Sequence, residues 1–146
     1  MSPRMLVDHH YPHWRLTFSI CRGPLSLDRY LANRVRLLQR GPLATWRFGW
    51  AWVSDCRGAI PYPAPDPLYW RTIEAITEDL VRRIPEGKMA IVVDEISARL
   101  GNAWQRMLVK TAALNHVALG SFDQVAAAVR WARPALLDQV VATISA

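Results

Sequence analysis

The chain has 146 residues, of which 51% are hydrophobic and 21% are charged, a composition that indicates one globular domain and excludes disordered and collagen-like proteins. Its apolar stretches are shorter than the roughly 20 residues that cross a bilayer, and its first ten residues lack the apolar run of a signal peptide, so we expect a cytoplasmic protein without a membrane segment. The formal net charge of +6 comes from 16 Arg and 2 Lys and, with seven Trp, raises the question of nucleic-acid binding.

The first third of the chain predicts a hairpin followed by a helix. Residues 14–21 alternate apolar and polar side chains, which favours a half-buried strand, and residues 5–10 form a short strand before it. Ser26 is placed to cap a helix that runs through Gln39 and stops at the Gly41–Pro42 pair. The solvated side of that helix is predicted to carry Arg29, Asn33, Arg36 and Arg40.

The middle of the chain predicts an aromatic strand and a proline-rich loop. Residues 45–55 are predicted to be a strand with Trp46, Trp50 and Trp52 on one face, because side chains alternate along a strand. Residues 56–67 contain four prolines in a run of seven residues, which favours a loop over helix or sheet. Asp66 then caps a helix that ends before the Pro85–Gly87 segment.

The remaining residues predict alternating strands and helices. Residues 88–93 are a short apolar run typical of a strand buried on both faces. A helix over 97–113, a strand over 114–119, a helix over 121–133 and a last helix over 135–144 follow. This alternation predicts a single α/β domain with a four- to five-stranded, mostly parallel sheet flanked by helices.

Three segments resemble the STAS-like, SpoIIAA-like domains of bacteria. They are the strand end at residues 53–58, the strand at 88–93 followed by Gly101, Arg106 and Met107, and the closing segment 120–131 with Phe122 and Trp131. The resemblance covers nearly the whole chain. It implies a sheet of four or five strands and a non-catalytic role in regulation or protein association, with a homodimer as one form of association.

The resemblance also implies a serine that is phosphorylated at the start of the helix after the central strand. Here residues 56–67 contain no Ser or Thr, and Asp66 stands at the capping position, where a carboxylate is favoured by the helix dipole. We therefore expect the phosphorylatable serine to be lacking. We expect the partner surface to include Pro63, Pro65 and Asp66 of the loop.

Two identical Cys–Arg–Gly segments follow two of the predicted strands. The first Cys–Arg–Gly turn is Cys21, Arg22 and Gly23, and the second is Cys56, Arg57 and Gly58. Because carboxyl ends of parallel strands meet at one edge, where α/β folds bind ligands, the turns are expected to be neighbours. Arg22, Gly23, Arg57 and Gly58 then form a candidate anion site, unless the arginines pair with a carboxylate such as Asp28 or Asp55. Cys21 and Cys56 are either reactive thiols or buried, inert ones.

Other patterns give weaker indications of chemistry. Asp8, His9, His10 and His13 form a histidine-rich segment, but strand alternation separates His9 from His10, so we assign no metal site there. Glu95 follows a strand, where α/β enzymes place acids, yet it equally fits the first turn of a helix. The Trp face is interpreted as core rather than as a base-stacking platform. We assign no catalytic residues and no cofactor.

Two functions remain from the sequence. One is a non-enzymatic regulatory or protein-interaction domain, and the other is a protein that binds a small anion or apolar ligand at the Cys–Arg–Gly turns. Nucleic-acid binding is less favoured, because the arginines are spread over several elements rather than gathered in one stripe.

Overall fold

The structure, a computed structural model, describes residues 6–26, 29, 32–33, 36–37, 45–46, 49–62, 67–68, 71, 75, 86–95, 97 and 117–145. Within these ranges the strands are β1 (Leu6–Tyr11), β2 (Leu16–Cys21), β3 (Gly23–Ser26), β4 (Trp50–Asp55), β5 (Ala59–Tyr62), β6 (Gly87–Val92) and β7 (Val117–Phe122). The helices with defined bounds are α1 (Val125–Ala132) and α2 (Asp138–Ser145). Arg29, Ala32, Asn33, Arg36 and Leu37 are also helical, as the sequence predicted.

Five of the strands form one sheet, in the order β1-β2-β4-β6-β7. β1 and β2 are antiparallel and are joined by a 3₁₀ turn at Pro12–Trp14, which confirms the predicted hairpin. The other neighbours, β2-β4, β4-β6 and β6-β7, are parallel. The α/β class and the mostly parallel five-stranded sheet are therefore confirmed.

The two faces of this sheet differ in chemistry. Helices α1 and α2 pack on one face against an apolar set, Leu16, Phe18, Ala51, Val53, Ala90 and Val92. Alternation sends the other members of the strands to the opposite face, which carries Thr17, Ser19, Trp50, Trp52, Ser54, Met89 and Ile91, all buried. Asn33 and Leu37, from the connection between β3 and β4, are buried as well.

β3 and β5 form a second, two-stranded parallel sheet. The sequence predicted a turn at Pro24 and a loop throughout 56–67, so the prediction was wrong for residues 59–62. Among the described strands β5 pairs with β3 alone, and the missing N–H of Pro61 is tolerated in such a two-stranded pairing. Proline content therefore led to a wrong prediction for β5, which pairs along one side only among the described strands.

Several predicted boundaries moved. β4 begins at Trp50 rather than at residue 45, because Gly49 adopts a left-handed backbone with φ of 93°. β7 extends to Phe122 because its pairing with β6 continues to Val92↔Phe122, so Ser121 lies in the strand and does not cap the next helix. Gln124 takes that position, without a side-chain capping hydrogen bond.

Candidate functional site

The two Cys–Arg–Gly turns lie side by side at one edge of the large sheet. The first follows β2 and the second follows β4, and these strands are parallel neighbours with Ile20 paired to Asp55. Gly23 and Gly58 have φ of 65° and 75°, a backbone region that side chains disfavour, and the Gly23 N–H donates to the Gly58 carbonyl at 3.0 Å. Each glycine thus turns its strand out of the large sheet and into the β3-β5 pair.

The connection between the two ladders is one residue longer on the β4-β5 side than on the β2-β3 side. Between the pairs Ile20↔Asp55 and Gly23↔Ala59, the β2-β3 chain has two residues and the β4-β5 chain has three. The extra residue belongs to a β-turn over residues 56–59, in which the Ala59 N–H donates to the Cys56 carbonyl at 3.1 Å. The extra residue allows the Arg57 side chain to fold back onto Asp55, two positions earlier in the chain.

Asp55 holds both arginines. The Arg22 Nη2 lies 2.6 Å from Asp55 Oδ2, and the Arg57 Nη2 lies 2.9 Å from the same oxygen. The Arg57 Nε donates to the other carboxylate oxygen, Oδ1, at 2.9 Å. The Asp55 side chain is only 3% exposed, whereas those of Arg22 and Arg57 are 42% and 40% exposed. A buried carboxylate therefore fixes two half-exposed guanidinium groups, leaving one net positive charge.

The electrostatics agree with this geometry. Burial alone raises the pKa of the Asp55 carboxyl, but the hydrogen bonds from Arg57 and Arg22 outweigh it and hold that pKa below its ordinary value. In turn the hydrogen bond to Asp55 raises the pKa of Arg57. Asp55 and Arg57 are therefore both charged at neutral pH.

Cys21 and Cys56 are fully buried and are not joined in a disulfide. Each lies one residue beyond Ile20↔Asp55, the last register pair of β2 and β4. Cys21 is the final residue of β2, where it pairs with Leu6 of β1, and Cys56 directly follows β4. By strand alternation both thiols belong to the sheet face that carries Ser19 and Trp52. The structure thus places the two cysteines at the carboxyl ends of neighbouring parallel strands, with both side chains buried.

An exposed apolar pair lies beside the arginines. Pro24 and Ile60 are register partners in the β3-β5 pair and both are exposed, Ile60 by 50%. Their neighbours Leu25 and Ala59 point the other way and are buried. The sequence interpretation missed this pair because it treated the segment as a loop. The repeated Cys–Arg–Gly segment followed by alternating residues was the signal that could have found it.

Other predicted partner-surface residues lie outside the described part of the chain. Pro63, Pro65 and Asp66 lie among residues that the structure does not describe, and so do Asp28 and all of the predicted helix over 97–113 except Ser97. Of the Trp face, Trp50 and Trp52 are buried, as the core interpretation predicted, whereas Trp46 is half-buried.

The histidine segment is part of the first hairpin. His9 and His10 are exposed, and the His10 Nδ1 lies 2.9 Å from the Thr17 hydroxyl. Asp8 instead faces Ser19, whose hydroxyl donates to it at 2.5 Å, and Asn33, whose amide donates at 2.7 Å. Among the described residues, no group of three or more potential ligands is arranged to hold a metal ion. Asn33 was predicted on the solvated side of its helix, and its burial against Asp8 corrects that prediction.

The acidic pair after β6 is divided between two roles. Asp94 accepts a hydrogen bond from the Ser97 N–H at 3.0 Å, and the Asp94 N–H donates to the Ser97 hydroxyl at 3.1 Å. This reciprocal pattern is that of a helix capping box. Glu95 is exposed. Asp94 is therefore held by Ser97, and the helix whose first turn it was predicted to join lies outside the described residues beyond Ser97.

Comparison of the chain with family models, with curated proteins and with solved structures gives no match. Within the described residues, no helix is long and apolar enough to cross a membrane.

Proposed function

We propose that this chain is a regulatory protein-interaction domain of the STAS-like kind. Its partner-binding surface, which we call the arginine-edged patch, consists of Pro24, Ile60, Arg22 and Arg57. The observation that carries the proposal is the exposed Ile60–Pro24 pair, bordered by two guanidinium groups that Asp55 holds in place.

The chemistry of this patch fits protein association. Arginine and apolar side chains are enriched where proteins bind one another, whereas lone exposed apolar residues are common and carry no message. Here Ile60 is anchored in a paired strand, and Arg22 and Arg57 are already ordered by Asp55. Binding to a pre-ordered surface loses less side-chain entropy, which favours affinity.

The charge of the patch defines its partner. One carboxylate neutralises only one of the two guanidinium groups, so the edge keeps a net positive charge. The complementary surface is a protein segment with an apolar side chain next to a carboxylate or another anionic group. The α/β fold is of the class that the resemblance to STAS-like domains implied, which supports a role in regulated association.

Site-specific photo-crosslinking tests the proposal. A p-benzoylphenylalanine residue replaces Ile60 in the full chain, and crosslinked protein is sought in the cells that make it. The matched control carries the same residue at Leu137, which is 64% exposed and lies next to α2. We expect a discrete adduct from position 60, absent at position 137, that weakens when Arg22 and Arg57 are replaced by Gln. Equal labelling at both positions would contradict the proposal.

A second candidate function is binding of a small anion by Arg22 and Arg57. Although both arginines pair with Asp55, their side chains remain 42% and 40% exposed at the carboxyl ends of parallel strands, where α/β folds bind ligands. Titration with inorganic phosphate, followed by the guanidinium NMR signals, separates it from protein binding. Saturable shifts at Arg22 and Arg57 together, with none at the exposed Arg130, would favour the small-anion function.

A further inference from the structure

We infer that Cys21 and Cys56 are a redox pair that closes to an intramolecular disulfide when the protein meets a small-molecule disulfide. The inference does not depend on the proposed partner-binding function. It begins from the register of β2 and β4, in which Ile20 lies opposite Asp55, so that the next residues along the two chains are the two cysteines.

The register of β2 and β4 places the Cα atoms of Cys21 and Cys56 within the range of separations found in disulfides. Neighbouring strands lie about 4.8 Å apart, and disulfides join residues whose Cα atoms are about 4.4–6.8 Å apart. The Cys56 N–H still donates to the Val92 carbonyl at 2.8 Å, so this residue keeps its place beside β6 although β4 ends at Asp55. Both side chains then point to the same face of the sheet.

The Arg22 guanidinium group links the ends of β2 and β4. One nitrogen of Arg22, Nη1, donates to the Cys21 carbonyl and to the Asp55 carbonyl, each at 3.1 Å. Beyond the cysteines, the hydrogen bond from Gly23 to Gly58 closes the other side. The two cysteines therefore lie between two sets of hydrogen bonds that join the β2-β3 and β4-β5 segments. These hydrogen bonds limit how far the two cysteine backbones can separate.

The small-molecule disulfide oxidises the two cysteines by thiol–disulfide exchange. The thiolate of one cysteine attacks a sulfur of the small molecule, forming a mixed disulfide and releasing one small-molecule thiol. The thiolate of the second cysteine then attacks the protein sulfur of that mixed disulfide and releases the second thiol. The Cys21–Cys56 pair loses two electrons and two protons, which the small molecule gains. Because both residues are fully buried, the first attack requires a local opening of this edge and is slow.

The test is incubation of the native chain with oxidised glutathione, followed by unfolding, alkylation and intact mass measurement. We expect the mass to fall by two hydrogen atoms with neither cysteine alkylated, and a Cys21–Cys56 crosslinked peptide after digestion. The single variants C21S and C56S are expected to stop at the mixed disulfide. Wild-type protein in which both thiols remain alkylatable at equilibrium would overturn the inference.

A displaced pair provides the matched control. In the double variant S54C/C56S the second thiol moves two residues down β4, to the position opposite Ser19, while the number of residues between the cysteines hardly changes. Its Cα lies beyond the roughly 7 Å limit for a disulfide with Cys21. Under native conditions we expect the S54C/C56S variant to form at least tenfold less intramolecular disulfide than wild type. In urea we expect the two proteins to form equal amounts of it. Equal closure of both proteins under native conditions, with circular dichroism showing the same fold, would contradict a register-directed pair.

Discussion

Arg57 donates to both carboxylate oxygens of Asp55, with 2.9 Å between Nε and Oδ1 and 2.9 Å between Nη2 and Oδ2. Two parallel hydrogen bonds of this kind require the planar fork of a guanidinium group, which lysine lacks. The backbone N–H of Arg57 adds a third hydrogen bond, at 3.3 Å to Oδ1. The β-turn after β4 is thus fastened to the last residue of that strand, and Arg22, between β2 and β3, donates to the same carboxylate.

Asp55→Asn is expected to destabilise the fold by about 1–3 kcal/mol, the range for a buried polar group that loses its charged partners. The neutral amide keeps the size of the carboxylate but cannot accept from both arginines through charged oxygens. Urea unfolding followed by tryptophan fluorescence measures the change. Asp138→Asn is the control, because Asp138 is 92% exposed and meets Arg130 only at 3.5 Å. A loss for Asp138→Asn as large as that for Asp55→Asn would contradict this account.

The stabilisation by Asp55 is expected to depend on pH. Because the folded-state pKa of Asp55 is lower than its unfolded value of about 3.9, the unfolded chain binds the proton more readily. The contribution is therefore complete above about pH 5 and is lost as the pH falls through the folded-state pKa. The difference in free energy of unfolding between wild type and Asp55→Asn should shrink steadily from pH 5 downward. A difference that stays constant to pH 2 would show that charge is not its source.

The general architecture of the fold could be predicted because it depends on local patterns. Alternation over residues 14–21 located β2 but predicted it to be half-buried, whereas both of its faces are buried. The apolar run in β6 could be predicted because it reflects one element and its burial. The boundaries could not, since pairing between strands sets them. β7 reaches Phe122 because β6 offers partners up to Val92, a fact that no window of residues around position 120 contains.

The position of the candidate site could be predicted, and Asp55 was one of the two carboxylates named as pairing partners of the arginines, but the geometry of these contacts could not be predicted. The repeated Cys–Arg–Gly segments and the parallel strands placed both turns at one edge, as the structure has them. The turn that directs Arg57 toward Asp55 depends on a difference of one residue between two ladders, which appears only when both are paired. The β3-β5 pair was missed for the same reason, because its stability comes from pairing rather than from local propensity.

Gly87→Ala is expected to destabilise the fold because Trp50 leaves no room for a side chain. A Cβ at residue 87 would meet the indole ring of Trp50, which is fully buried and register-paired with Gly87. Forcing a methyl group into such a packed position costs about 1–3 kcal/mol. Urea unfolding of Gly87→Ala in wild-type and Trp50→Leu backgrounds measures the coupling. The cost should be smaller beside Leu, and an equal cost in both backgrounds would place the obstacle elsewhere.

Ser19→Ala is expected to lower the free energy of unfolding by about 1–3 kcal/mol, because it removes hydrogen bonds on the sheet face opposite α1. The Ser19 hydroxyl accepts a hydrogen bond from the Trp52 indole at 2.9 Å and donates to Asp8, so its removal takes a partner from two groups at once. Thr143→Ala is the control, because that exposed hydroxyl only donates to a carbonyl of its own helix. Unfolding by urea compares the two variants, and a loss confined to Thr143→Ala would refute the role given to Ser19.

Arg133→Lys is expected to destabilise the chain more than the same change at Arg130. The Arg133 guanidinium donates to the carbonyls of Trp14, Arg15 and Gly49 at 2.8–3.0 Å, and so joins the end of α1 to the starts of β2 and β4. Burial, and then the nearby charge of Arg15, lower the pKa of Arg133, yet carbonyl oxygens surround the cation. An ammonium group cannot reproduce this spread of donors.

The expected loss of unfolding free energy for Arg133→Lys is about 1.5–3 kcal/mol, the range for hydrogen bonds made by a charged group. Arg130→Lys should leave it nearly unchanged, because the Arg130 side chain is 55% exposed and its ion pair is at the surface. Amide hydrogen exchange adds a local readout. Protection of residue 51, whose N–H donates to the Arg15 carbonyl at 2.9 Å, should fall in Arg133→Lys and persist in Arg130→Lys. Unaltered protection in both variants would mean that Arg133 does not hold these segments together.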